Sequence, residues 1–189
     1  FIGQTTPEIL NALDDEIQII ADPKKKIIEI IDTGIGLSET ELSETFGTIA
    51  RSGTSAFMDD LQTAENSKDA AKTLIGKFGV GFYSAFMVAD RVVVTTRKAG
   101  ADISHIWESD GQSGYSITLN DANVEEGTSV KLYLRKDAKE YSDSNTLRTL
   151  VKKYSDHILV PIKLKSIDGE NEQANSAQAL WTRTPSEIK

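Results

Sequence analysis

Asp32-Thr33-Gly34-Ile35-Gly36 is the first place in this sequence where residue type and spacing suggest chemistry. The carboxylate closes an isoleucine-rich run, Ile27-Ile28-Glu29-Ile30-Ile31, so it stands at the mouth of an apolar sheet. A charge in such a place is costly unless it is hydrogen-bonded. A ligand amine is a good partner, and glycines let a flat ring approach the main chain closely. Alone, the motif reads more readily as a strand-to-helix turn whose Asp caps glycine-rich backbone, because short glycine patterns often arise by chance.

A second glycine cluster, Gly76-Lys77-Phe78-Gly79-Val80-Gly81, precedes an apolar stretch with helical character. Free amides at a helix N-terminus, with the positive end of the helix dipole behind them, make an anion site that suits a triphosphate. The spacing differs from the dinucleotide fingerprint and from the Walker P-loop, and no kinase His-Arg-Asp or Asp-Phe-Gly follows. A flexible hinge before a core helix is an equally good reading of this cluster alone. Between the two lies Gly47-Thr48-Ile49-Ala50-Arg51-Ser52-Gly53-Thr54, which offers a cation and several hydroxyls for phosphate or ribose. Taken singly it reads as a solvated loop. Gly127-Thr128 opens a later strand, where the hydroxyl could support Asp32 or simply pack.

Composition limits the chemistry further. The 189 residues carry 21 Lys+Arg against 29 Asp+Glu, a formal charge of −8. This argues against a general nucleic-acid binder, although main-chain amides can hold phosphate without net positive charge. With 39% hydrophobic and 26% charged residues, the chain can bury one core. It contains no cysteine, which excludes a disulfide scaffold and a zinc–thiolate site, and two histidines make a His-metal cluster a poor reading. No apolar run approaches the roughly 18 residues of a membrane helix, and no signal peptide is visible at Phe1. The start at Phe1 rather than Met reads as a processed or cloned fragment.

Several elements must position these motifs. Thr6–Leu13 begins with a cap and a proline, as a short helix does. Glu16–Ala21 and Lys26–Asp32 read as a hairpin around Asp22-Pro23-Lys24-Lys25, the second strand being central and covered on both faces. Ser38-x-x-Glu41 is a capping box that opens a helix of about two turns. Residues 47–75 are polar with scattered apolar positions and read as a functional lid. Four strands are expected at Val92–Lys98, Ser104–Ser109, Tyr115–Leu119 and Thr128–Leu134. Leu147, Leu150, Val151 and Tyr154 form a helical stripe. Leu159–Lys165 reads as a last strand that Pro161 assigns to an edge, and 168–178 as a polar linker. His105 and His157 read as structural, and Trp107 as core or sheet surface.

In this order and separation, the four motifs resemble the adenine-nucleotide site of the GHKL (Bergerat-fold) ATPases. Asp32-Thr33-Gly34-Ile35-Gly36-Leu37, Gly47–Thr54, Gly79-Val80-Gly81-Phe82-Tyr83-Ser84-Ala85-Phe86 and Trp181-Thr182-Arg183 resemble, more narrowly, the heat shock protein 90 chaperone family. The likeness is to its bacterial, HtpG-type, or organellar branch and covers essentially the whole chain. It implies an α/β two-layer sandwich, with a mixed, mostly antiparallel sheet and helices on one face. It further implies a nucleotide-binding domain over 1–167, and a linker with the start of a middle domain over 168–189.

By the same resemblance, Asp32 accepts a hydrogen bond from the adenine amino group, Gly36 and Leu37 line the purine, and Thr128 assists Asp32 through water. Gly79, Val80, Gly81 and Phe82 present amides to the phosphates, while Arg51 and Ser52 belong to the lid hinge. The implied ligand is ATP or ADP, with Mg2+ in the parent protein. The implied partners are client polypeptides and co-chaperones of a homodimeric parent, cytoplasmic or in an organelle matrix, with no nucleic acid and no membrane. The family's first helix carries a Glu that polarises the attacking water and an Asn that holds magnesium, and neither is identifiable here. Glu8 and Asn11 do not match the family spacing and read as helix surface. These 189 residues are therefore expected to bind ATP but hardly hydrolyse it. Other GHKL members, such as sensor histidine kinases, type II topoisomerases and mismatch-repair ATPases, share the Asp-x-Gly-x-Gly motif. They lack the Gly47–Thr54 run and the Trp181-Thr182-Arg183 exit. A binding module with a vestigial site is the reading from a different class.

Overall fold

The computed structural model describes residues 15–47, 82, 84–166 and 171–177. The helix expected at Thr6–Leu13, the segment 48–75, the Gly76–Gly81 cluster and Trp181-Thr182-Arg183 lie outside the described residues.

A β-branched run, a proline turn and a second β-branched run give the hairpin of β1 (Ile17–Asp22) and β2 (Ile27–Asp32). The capping box then starts α1 (Glu39–Leu42), which continues as a π-helical turn through Ser43–Gly47. Further along the chain come α2 (Ala85–Val88), β3 (Ala89–Arg97), β4 (Ser104–Ser109), β5 (Tyr115–Asn120) and β6 (Gly127–Leu134). A 3-10 turn at Lys136–Ser142 leads into α3 (Ser144–Tyr154), then β7 (Ile162–Ser166) and β8 (Asn171–Gln173). The eight strands form one sheet in the order β5-β4-β3-β6-β2-β1-β7-β8, antiparallel throughout except for the parallel β1–β7 pair. This is the mixed, mostly antiparallel α/β architecture that the family resemblance implied.

Strand alternation decides where the core lies. Ile19, Ala21, Ile28, Val92, Val94, Trp107, Leu132 and Leu134 share one cluster with Leu42, Phe46, Phe86, Leu147 and Val151 from the helical segments. Burying aliphatic side chains of this size is worth about 1.5–3 kcal/mol each. Trp107 is fully buried among Phe46, Phe82 and Tyr115, with ring centroids 5.5–6.0 Å away.

Four expectations change. First, β2 is central but not covered on both faces among the described residues. On its second face Glu29 accepts a hydrogen bond from Ser129 and pairs with Lys131 at 3.3 Å, between half-buried Ile27 and Ile31. Strand propensity suits isoleucine there whether or not a second layer covers it. Second, Tyr154 leaves the α3 stripe for solvent, with Lys153 over its ring; of the stripe only Leu147 and Val151 are buried. Third, β7 lies inside the sheet. Pro161 precedes the strand, where its missing N–H matters little, and its carbonyl accepts the Ile17 N–H. Fourth, the 168–178 segment does not behave as linker at 171–177. β8 pairs with β7, and buried Asn175 accepts the Ile162 N–H while donating to the carbonyls of Ile158 and Val160. One amide side chain thus satisfies three main-chain groups around the strand entrance, which composition does not reveal.

Candidate functional site

Asp32, Thr128 and Thr96 are successive register partners across β2, β6 and β3, and His105 follows on β4. By alternation each faces the helix-covered side. The next row inward is Ile30, Val130, Val94 and Trp107, and the one beyond begins Ile28, Leu132 and Val92. The apolar core therefore ends in a polar row at one end of the sheet.

Two glycines allow the chain to assemble this end. Gly127 has φ +117°, and a Cβ there would lie 2.2 Å from the Asp32 carbonyl oxygen, so only glycine lets β6 start so close to the end of β2. Gly36 has φ +61°, and a Cβ would lie 2.0 Å from the Arg97 carbonyl oxygen. The Asp32–Ser38 turn can then lie flat on the end of β3. It is held there by Ala99 N–H to Ile35 O at 2.8 Å and by Leu37 N–H to Thr96 Oγ1 at 2.9 Å. Thr33 anchors the other side, its Oγ1 accepting from Glu16 N–H at 3.0 Å.

Within this frame Asp32 is half-buried. Its Oδ1 accepts the Gly34 N–H at 2.9 Å, and no Lys, Arg or His among the described residues forms an ion pair with it. Thr96 is buried and has three partners: Leu37 N–H, Gly127 O at 2.9 Å and Thr128 Oγ1 at 3.1 Å. A few residues away, Glu41 is closely held. Lys98 donates to both its oxygens at 2.7 and 2.8 Å, and Ser38 donates through its amide and its hydroxyl. The Lys98 ammonium first, and then the Ser38 donors, hold the Glu41 carboxyl down at about 2. His105 Nε2 lies 3.7 Å from Glu39, linking α1 to β4.

Of the candidate residues, the fold brings Asp32, Gly36, Leu37 and Thr128 to one place. Phe82 contributes its ring to the core, 4.5 Å from Phe46. Arg51, Ser52, Gly79, Val80 and Gly81 lie outside the described residues. Thr96 escaped the sequence reading. Its signal is parity, because it follows Val92 and Val94 on the inward positions of the same strand. An acceptor row at the end of an apolar face, with a glycine turn laid against it, can receive a flat ring bearing N–H donors.

The sequence pattern of the histidine kinase-, DNA gyrase B- and HSP90-like ATPases matches residues 9–132, a stretch that contains every candidate residue. The chain belongs to this family. Within it the chain is HtpG-like. It is 46% identical over 185 residues to the chaperone protein HtpG of Roseobacter denitrificans, covering 97% of this chain and 28% of that one. It is 47% identical over 191 residues to the HtpG of Rickettsia massiliae, and 47% over 188 to that of a Methylobacterium species, covering 100% of this chain and 30% of each relative. The chain thus spans less than a third of the length of these curated relatives.

Proposed function

We propose that this chain is the ATP-binding domain of a heat shock protein 90-type chaperone and that the base of the nucleotide seats against Asp32 and Thr128 at the end of the apolar face. The observation that carries this reading is a half-buried carboxylate at the end of an apolar face, accepting one main-chain N–H and no ion pair among the described residues. Asp32 accepts from the exocyclic amine, Gly36 and Leu37 line the ring, and Thr128 adds an acceptor beside the carboxylate. Gly79, Val80, Gly81 and Phe82 supply main-chain amides to the phosphates, and Arg51 and Ser52 approach them from a lid over about 47–75. Family membership supports these roles.

In the parent protein, nucleotide binding and hydrolysis by a homodimer would drive the handling of client polypeptides, with co-chaperones as further partners, in the cytoplasm. Among the described residues no three His, Cys, Asp or Glu side chains converge, and Mg2+ would be held mainly by the nucleotide's phosphates and water with one or two protein oxygens. No residue of this sequence matches the Glu that serves as the family's general base or its metal-binding Asn. General-base catalysis is typically worth about 10²–10⁴-fold, so these 189 residues should bind ATP and turn it over negligibly. Steady phosphate release by the purified chain with ATP and Mg2+ would contradict this.

The binding test is calorimetry with ADP. Wild type should bind, and Asp32→Asn should weaken binding by about 100-fold or more, since the variant places an NH2 donor or a weaker acceptor against the amine. The free proteins should melt alike. Equal ADP affinity in the variant would refute the assignment, and absence of any ADP binding by wild type would favour a module with a vestigial site.

A further inference from the structure

We propose that Thr96, which does not touch the ligand, is the positioning residue that makes this site select an amino-purine over an oxo-purine. The proposal rests on the adenine-nucleotide reading above. A hydroxyl has one hydrogen to donate and can accept two. Gly127 O is a carbonyl and can only accept, so the 2.9 Å contact takes the Thr96 hydrogen. Leu37 N–H can only donate, so it occupies one acceptor position of Thr96 Oγ1. The remaining contact, 3.1 Å to Thr128 Oγ1, must then be donated by Thr128.

This arrangement has a chemical consequence at the site. Thr128 has no hydrogen left, so it presents only lone pairs on the face it shares with Asp32, its register partner. A carboxylate and an acceptor-only hydroxyl then stand side by side. An exocyclic amine, with two N–H groups, satisfies both, directly or through a water that donates to Thr128. A 6-oxo group brings no hydrogen to these two acceptors, and the ring N1–H beside it can meet only one of them, so the oxo oxygen and the other acceptor are left unpaired in a half-buried site. Thr96 is buried and sequestered from the ligand, so its influence passes entirely through Thr128 and the Leu37 amide.

The test is the ratio of ADP to IDP affinity, measured by calorimetry on the full chain. Thr96→Val keeps the shape but removes the hydroxyl, freeing the Thr128 hydrogen to turn toward the ligand. The ADP:IDP preference should fall about tenfold or more, and Thr96→Ser should restore it. If Thr96→Val weakens both ligands equally, or changes neither, Thr96 is structural only and the proposal fails. Should Thr96→Val not fold, Thr128→Val decides. It should weaken ADP and leave IDP unchanged or tighter, whereas equal losses overturn the proposal. Failure of wild type to bind ADP, or full ADP binding by Asp32→Asn, overturns the nucleotide reading itself along with this one. A wild type that binds ADP with an unaltered ratio in Thr96→Val refutes the selectivity role alone.

Discussion

Two carboxylates flank the same glycine turn and meet opposite fates. Glu41 is held by Lys98 and by both donors of Ser38, and its pKa is drawn down to about 2. Asp32, at the other end of the turn, accepts one main-chain N–H from Gly34 and forms no ion pair among the described residues. The difference is one of remaining hydrogen-bonding capacity. Glu41's acceptors are used by the protein, fastening α1 to the end of β3. Asp32 retains acceptor capacity at the end of the apolar face. A charged group of the first kind stabilises the fold, and one of the second kind can bind a ligand. Proximity in sequence, nine residues, does not distinguish them; the partners do.

The strongest way to break this comparison is to remove the turn that separates the two. Gly36→Ala forces a left-handed residue and drives a Cβ to 2.0 Å from Arg97 O. The left-handed cost alone is roughly 1–2 kcal/mol, so with the clash the loss should exceed about 2 kcal/mol in denaturant unfolding. ADP binding should disappear as well, since the Leu37 amide leaves Thr96. A variant that kept its ADP affinity would show that the turn's seat on β3 does not matter to the site.

Much of this frame was legible in the sequence, because it is written in local patterns. The hairpin around Pro23, the capping box and the four strands from Val92 to Leu134 follow from β-branched runs and turn residues, and the structure moves their limits by a few residues at most. Asp32, Gly36, Leu37 and Thr128 do converge. What was not legible depends on partners distant in sequence. Asn175 turns a polar stretch into the last strand by satisfying three main-chain groups around Ile162. Lys98, read as the last residue of a strand, instead claims Glu41 from 57 residues away. The isoleucines of β2 announced a strand correctly but not how many of its faces are covered. Thr96 was hidden for the same reason: a threonine in a valine-rich strand looks ordinary until the Gly127 carbonyl and the Leu37 amide are placed around it.

A milder test addresses the structural carboxylate alone. Ser38→Ala removes the hydroxyl that accepts from Glu41 N–H and donates to Glu41. Loss of an N-cap side chain typically costs about 0.5–2 kcal/mol, so the unfolding midpoint should drop measurably while ADP affinity in the folded protein stays within about twofold. A large loss of affinity would mean that the two ends of the turn are coupled rather than separate.

The smallest effect is the most specific, and it concerns acid. Glu41's folded-state pKa lies near 2, below its ordinary value of 4.5. As pH falls, the unfolded chain therefore takes up this proton first. The carboxylate's contribution is fully present above about pH 4.5–5 and is lost as pH falls toward 2. Both partners are substantially exposed, with side-chain exposures of 41% for Lys98 and 40% for Glu41, so water and salt screen the pair and the effect should be modest. Asp110, lowered to about 2 chiefly by the Ser113 and Gln112 amides, adds a loss of the same sign. The informative quantity is thus the gap between wild type and Glu41→Gln. At neutral pH wild type should melt higher, and the gap should close between about pH 4.5 and pH 2 as the wild-type carboxyl protonates. A gap that stayed constant through this range would mean that packing around α1, and not the charge on Glu41, holds the helix to β3, and Glu41 would then no longer be the carboxylate whose acceptors fasten the fold.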